Sequence, residues 1–202
     1  MFYYDTVSPG LRRLLVEIQA LEALKRFRLA GGTALALQYG HRQSVDLDFF
    51  GPFDGEDFGE LLAGLGKTTL VKSSANIHVY VVDGVKVDFV NHRYPWLEAP
   101  LREEGVALAS DKDIAAMKIA AITGRGSKKD FVDLYFLLKR YSLEEILELF
   151  LKKYDDGSAF LALKSLNYFS DADTEPMPLM SEPIHWSDIQ FAISKEVNRL
   201  MV

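Results

Sequence analysis

Gly31-Gly32-Thr33-Ala34-Leu35, followed shortly by Ser44-Val45-Asp46-Leu47-Asp48-Phe49-Phe50, is the stretch from which the rest of this sequence is read. In an extended strand alternate residues share a face. Asp46 and Asp48 therefore project together, with Cα atoms about 7 Å apart at the usual rise, while Val45, Leu47 and Phe49 point the other way into a core. Two carboxylates side by side on an otherwise apolar strand repel each other and are costly to bury unpaired. A divalent cation removes that cost, and Mg²⁺ prefers carboxylate, water and phosphate oxygens. Gly31-Gly32 before a short helix over residues 34–39 supplies the complement. Glycine lets backbone approach a phosphate, and a helix N-terminus offers unpaired amides and a positive dipole end. Thr33 either caps that helix or touches a phosphate oxygen. Singly, a Gly-Gly pair is usually a turn and an Asp-x-Asp usually a solvated edge. Their order in one short segment gives them weight.

Working outward, residues 68–73 read as a strand, and 77–82 with 85–90 flank Asp83-Gly84. Asp-Gly between β-branched alternating runs is a hairpin signal, because the turn needs positive φ. On the second hairpin strand Val85, Val87 and Phe89 share one face, Lys86 and Asp88 the other. Asp88 joins Asp46 and Asp48 if the strands are neighbours, and three carboxylates suit two metal ions holding attacking and leaving oxygens in line. Otherwise Lys86 and Asp88 form an exposed cross-strand face. Residues 11–27 carry leucine and isoleucine at helical spacing, 28–30 form a short apolar-ended stretch, 44–50 a strand, 57–65 a helix and 106–109 a last short strand. Two prolines and a tryptophan within 94–100 mark a lobe boundary. Helices then follow over 111–123 and 129–140, from Ser142 with Glu145 in capping-box spacing, and near the C-terminus from Ser187 with Gln190; 170–183 reads as an exposed loop. The expected fold class is α+β, with a mixed β-sheet core over residues 1–100 followed by a mainly helical C-terminal lobe over 101–202.

The 202 residues, 49% hydrophobic and 26% charged, are ordinary for a globular chain. The absence of cysteine excludes disulfides and thiolate metal sites, and the four histidines show no zinc-ligand spacing. No signal peptide or bilayer-spanning run is read, so no membrane association and a cytoplasmic location are expected. A formal charge of −6 argues against a whole-surface nucleic-acid binder. It leaves room for a local patch, and Arg125, Lys128 and Lys129 crowd the link after the 111–123 helix. Lys118 lies on that helix amid alanine and isoleucine, where an ammonium reaches over a triphosphate as a point charge. Asp130, three residues after Ser127, reads as a helix N-terminal charge or as a functional group, with Asp133 one turn further on the same face. Tyr94, Trp96 and Trp186 read as packing aromatics.

Gly31-Gly32-Thr33-Ala34-Leu35, Arg42-x-Ser44-x-Asp46-Leu47-Asp48-Phe49, Val87-Asp88-Phe89 and the later Lys118, Lys128-Lys129-Asp130 and Asp133 together resemble the motifs of the AbiEii/AbiGii toxin family of nucleotidyltransferases. The resemblance runs over about residues 29–138. It implies a minimal, DNA polymerase β-like nucleotidyltransferase core, two Mg²⁺ ions and a nucleoside triphosphate such as ATP as substrate. It further implies a macromolecular acceptor (tRNA or a protein hydroxyl) and a winged-helix antitoxin as partner. On that resemblance Asp46, Asp48 and Asp88 are the candidate metal ligands and, with Lys118 and Asp130, the candidate catalytic residues. Gly31, Gly32, Thr33, Arg42, Ser44, Arg125, Lys128 and Asp133 are the candidate nucleotide contacts. Two other readings stand beside it: a catalytically silent nucleotide- or antitoxin-binding module, and a small-molecule nucleotidyltransferase of the antibiotic-modifying kind.

Overall fold

Ser8 and Pro9 start the first helix. In the computed structural model, which describes residues 1–201, α1 (Pro9–Ala20) begins where the Ser8 side chain accepts from the Leu11 amide at 3.1 Å, with Pro9 in the first turn. Such a cap is worth about 1 kcal/mol. Leu11, Leu14, Leu15 and Ile18 form its buried face. The helix is shorter than the expected 11–27, because Leu21 turns extended and Glu22–Leu24 forms a separate 3-10 turn that buries Leu24.

The chain divides into two units: Met1–Tyr94 with Ala99–Ala109, and Pro95–Glu98 with everything from Ser110 onward. The first holds a seven-stranded mixed sheet of β1 (Arg28–Leu29), β2 (Asp46–Gly51), β3 (Thr68–Ser73), β4 (Ile77–Val82), β5 (Val85–Asn91), β6 (Leu101–Glu103) and β7 (Val106–Leu108), in the order β3-β4-β5-β2-β1-β7-β6. β2 runs parallel to β5, and β1 parallel to β7; the other pairs are antiparallel. The expected turn closes β4 on β5, with Asp83 at φ 48° and Gly84 at φ 84°. β6 lies on a stretch from which no strand was expected. It pairs with β7 and so keeps residues 101–108 with the sheet, where the expected division at residue 100 had put them with the helices.

One sheet face carries Leu47, Phe49, Val87 and Phe89, all fully buried. Phe89 stacks on Phe49 at 5.4 Å and meets Phe27 and Phe58 at 5.2 and 4.6 Å. Val45 departs from the expected inward set. It precedes the strand and is 72% exposed. Also in this unit are α2 (Gly31–Tyr39) and the short α3 (Gly59–Ala63), the latter less than the expected 57–65.

In the second unit α4 (Asp111–Gly124) packs on α5 (Lys128–Leu137), α6 (Leu143–Lys153) and α7 (Ala159–Leu166), and α9 (Trp186–Met201) packs on α5, α6 and α7. The Ser142–Glu145 capping box forms as expected. The second candidate box does not open its helix, since α9 already contains Ser187 in its first turn. Ser170–Asp173, within the expected loop, is a short helix, α8, anchored by buried Ala172. Trp186 donates to Asp173 at 2.7 Å and sits against Phe131 and Phe169, the packing role expected of it. Among the described residues no helix is long and apolar enough to cross a membrane.

Candidate active site

Parallel pairing of β2 with β5 sets Asp46 opposite Lys86 and Asp48 opposite Asp88. Residues opposite one another share a face, so all four side chains stand on the side of the sheet away from the phenylalanine core. The same pairing brings Asp88 to the Asp-x-Asp pair. β1 fixes the third component: the Ala30 amide donates to the Asp48 carbonyl at 2.9 Å, and the chain turns at once into α2. Gly31 makes that turn at φ +65°, and a Cβ built there would lie 2.9 Å from Asp48 Oδ2. Glycine is required twice over, by the left-handed backbone and by the carboxylate beside it. The helix starts at Gly31, not at residue 34 as expected, so both glycines belong to its first turn.

Thr33 neither caps the helix nor faces outward. It is buried, its Oγ1 lies 2.7 Å from Ser44 Oγ, and it also donates to the Asp46 carbonyl. Arg42, likewise buried, donates to the Gln43 carbonyl at 2.9 Å and reaches Ser44 Oγ at 3.5 Å. Arg42, Ser44 and Thr33 thus form one chain of contacts that pins the first turn of α2 to the start of β2.

Lys86, read from the sequence only as part of an exposed cross-strand face with Asp88, belongs to the site. Its Nζ donates to Asp88 Oδ2 at 2.5 Å. Burial alone would lower its pKa, but Asp88, Asp48 and Asp46 outweigh that and raise it. Asp88 is buried, and its other oxygen, Oδ1, has no hydrogen-bond partner. Three hard carboxylates on one face, one of them with an orphaned buried oxygen beside a glycine-lined helix start, fit a hard divalent cation chemically. Among the described residues no three such side chains are drawn together into a ready cage, and the Lys86 ammonium holds one of the oxygens a cation would take.

The remaining candidates lie in the helical unit. Lys118 is 4% exposed, and its Nζ lies 2.9 Å from Asp130 Oδ1 and 2.5 Å from Asp133 Oδ2, both carboxylates being fully buried. Asp130 also accepts from Ser127 Oγ at 2.7 Å and from Arg125, whose side chain is 63% exposed. Burial pushes the Asp130 pKa up, but Lys118 and Arg125 overcome it and hold the carboxyl well below the usual range. Lys128 does not join an exposed cationic patch. It is buried, donating to the Asp173 and Glu175 carbonyls and lying 5.0 Å from the Trp186 ring.

Sequence reasoning passed over a second buried ion pair in this unit. Lys153 Nζ donates to Asp113 Oδ1 and to the Pro95 carbonyl, both at 2.8 Å, and lies 4.6 Å from the Trp96 ring. Asp113 also accepts from Ser110 and from the Leu97 and Glu98 amides. The signal was slight: a helix-end lysine is ordinarily solvated, and only Ser110 three residues before Asp113 hinted at a capping group.

The sequence matches the family described as nucleotidyl transferase AbiEii toxin, type IV TA system, over residues 13–107 and 80–197. It is 38% identical over 198 residues to the uncharacterized protein aq_aa25 of Aquifex aeolicus (strain VF5), covering 94% of this chain and 95% of that protein. Among solved structures, JHP933 from Helicobacter pylori superposes with a TM-score of 0.59 at 17% identity, covering 95% of this chain and 88% of that one. MenT4, the nucleotidyltransferase toxin Rv2826c of Mycobacterium tuberculosis H37Rv, superposes with a TM-score of 0.56 at 15% identity, covering 95% and 82%. At such identities the two structures speak for the fold alone.

Proposed function

The chain belongs to the AbiEii nucleotidyl transferase toxin family, and from that premise we propose that it moves a nucleoside monophosphate from a nucleoside triphosphate to a hydroxyl of tRNA or protein, with the Asp46, Asp48 and Asp88 face as its reacting centre. The observation that carries this reading is the register that sets Asp48 opposite Asp88, beside Gly31, with Asp88 Oδ1 unpartnered.

Asp46, Asp48 and Asp88 would hold Mg²⁺ as two ions. Bound there, Mg²⁺ would neutralise triphosphate charge and polarise the phosphorus to be attacked. The chain's own part is positioning. The first turn of α2, bare of side chains at Gly31 and Gly32, presents backbone amides to phosphate oxygens. Thr33, Ser44 and Arg42 hold that turn against β2, so we assign them to placing the glycines and not to touching the nucleotide. Asp88 Oδ1 takes the proton of the acceptor hydroxyl. The new bond joins that oxygen to the α-phosphorus, the bond from the α-phosphorus to the bridging oxygen breaks, and pyrophosphate leaves. Arg125, Lys118, Asp130, Asp133 and Lys128 are left out of the reacting set. Their contacts within the helical unit support positioning, and a nucleotide role for them rests on family resemblance alone.

The family description supports a toxin, so neutralisation by a winged-helix antitoxin belongs to the same proposal. An RNA acceptor should bind with steep salt dependence; affinity indifferent to salt would favour a protein acceptor. The chemistry is tested by pyrophosphate release with Mg²⁺ and each nucleoside triphosphate in cell extract. Asp48→Asn should slow release at least about a hundredfold, as expected when charge stabilisation at the reacting centre is lost. A folded Asp48→Asn protein working at the wild-type rate would overturn the assignment.

A further inference from the structure

On a face with three carboxylates, Lys86 is placed where a cation belongs. It stands opposite Asp46 in the β2–β5 register and donates to Asp88 two residues along its own strand. Across the antiparallel partner strand the same rows continue as Val81 and Val79, which offer no charge and no polar side chain. Asp88 is buried with one oxygen on Lys86 and the other without a partner. A buried carboxylate half satisfied in this way is electrostatically expensive. The arrangement is one that a single further cation would complete and that Lys86 completes only in part.

We propose that Lys86 is a tethered counter-ion of the site: it neutralises Asp88 when no divalent cation is bound and gives up Asp88 Oδ2 when one binds. Lys86 and the divalent cation then compete for the same oxygen, and the lysine weakens metal affinity while stabilising the metal-free fold. The side chain suits the task. It is 44% exposed, and its flexible stem can swing the ammonium toward solvent or toward an incoming phosphate without disturbing the core. The inference rests on the carboxylate reading given above and adds to it a residue that sets the apparent metal affinity.

The test is Mn²⁺ binding, read by water-proton relaxation without any turnover, together with melting of the metal-free and Mg²⁺-loaded protein. Removing a unit charge from the site should tighten Mn²⁺ binding by about tenfold in Lys86→Met. The metal-free variant should melt below the metal-free wild type, and Mg²⁺ should raise its melting temperature more than it raises that of wild type. Lys86→Arg, which keeps the charge, should bind Mn²⁺ within about threefold of wild type. If wild type binds Mn²⁺ and Lys86→Met binds it equally or more weakly, the counter-ion role is wrong and the carboxylate site stands. If wild type binds no Mn²⁺, the carboxylate reading falls and this inference falls with it.

Discussion

Gly31 is constrained twice at the site, by its backbone and by the carboxylate beside it. A methyl group there must hold a left-handed backbone, which costs about 1–2 kcal/mol for an ordinary residue, and must displace Asp48 Oδ2 from 2.9 Å. Gly31→Ala is therefore expected to lower the free energy of unfolding, read by urea titration, by at least about that amount and to cut nucleotide transfer more than the loss of fold explains. Wild-type transfer in Gly31→Ala would show that nothing depends on the spacing between the turn and Asp48. At this scale the sequence was informative because the strand period fixes which side chains share a face; Asp46, Asp48 and Asp88 needed no tertiary knowledge beyond one strand pairing. Thr33 and Arg42 were harder to place. Their side chains look like phosphate ligands in a motif, and only the structure places them against Ser44 and the backbone. The engagement of Lys86 also needed coordinates, since residues two apart on a strand look the same whether they pair or merely share a surface.

At the scale of elements, α4 and α5 are joined by charge as well as by apolar packing. Lys118 from one meets Asp130 and Asp133 from the other, all buried. Removing one partner of a buried pair leaves an uncompensated charge, at a cost of about 3–5 kcal/mol. Lys118→Met should lower the denaturation midpoint accordingly, and a triple replacement of Lys118, Asp130 and Asp133 by apolar residues should recover most of it. If Lys118→Met is no less stable than wild type, the cluster is not structural.

The same carboxylates set a pH dependence. Asp130 and Asp113 both titrate below their ordinary range when folded; burial opposes this, while Lys118 and Arg125 for the first and backbone amides, Lys153 and Ser110 for the second prevail. A folded pKa depressed below the unfolded one contributes stability that is complete above the unfolded value and is lost as pH falls toward the folded one. Urea midpoints should therefore be flat with respect to these groups above about pH 5 and fall steadily below about pH 4, the unfolded aspartate range. Stability that rises on acidification through that window would contradict the assignment.

Helix caps with local sequence signatures, such as Ser142 with Glu145, and the Asp83-Gly84 turn could be read from sequence because their hydrogen bonds close within a few residues. The pairing of β1 and the Lys153–Asp113 pair could not, since each depends on partners far along the chain; β6 pairs only a few residues away with β7, but Leu101-Arg102-Glu103 carries no alternating apolar pattern to announce a strand.

For the whole molecule, the α+β class and the two-part organisation follow from the change of hydrophobic period along the chain. Membership in the AbiEii family and the likeness to solved folds place the mixed sheet among nucleotidyltransferases. The return of residues 99–109 to the sheet-bearing unit was hidden by the Pro-rich stretch before it. That stretch looks like a clean boundary, yet Pro95–Glu98 belongs with the helices, tied there by Lys153 and Asp113.

The central claim is that three aspartates on one sheet face carry nucleotidyl transfer. Its most direct test incubates wild-type protein and the Asp46→Ala/Asp48→Ala variant with Mg²⁺, each α-labelled ribonucleoside triphosphate in turn, and total tRNA or cell lysate. Label is expected on RNA or protein with wild type alone, in one base and one acceptor class. Equal labelling by a variant shown to be folded would contradict the account.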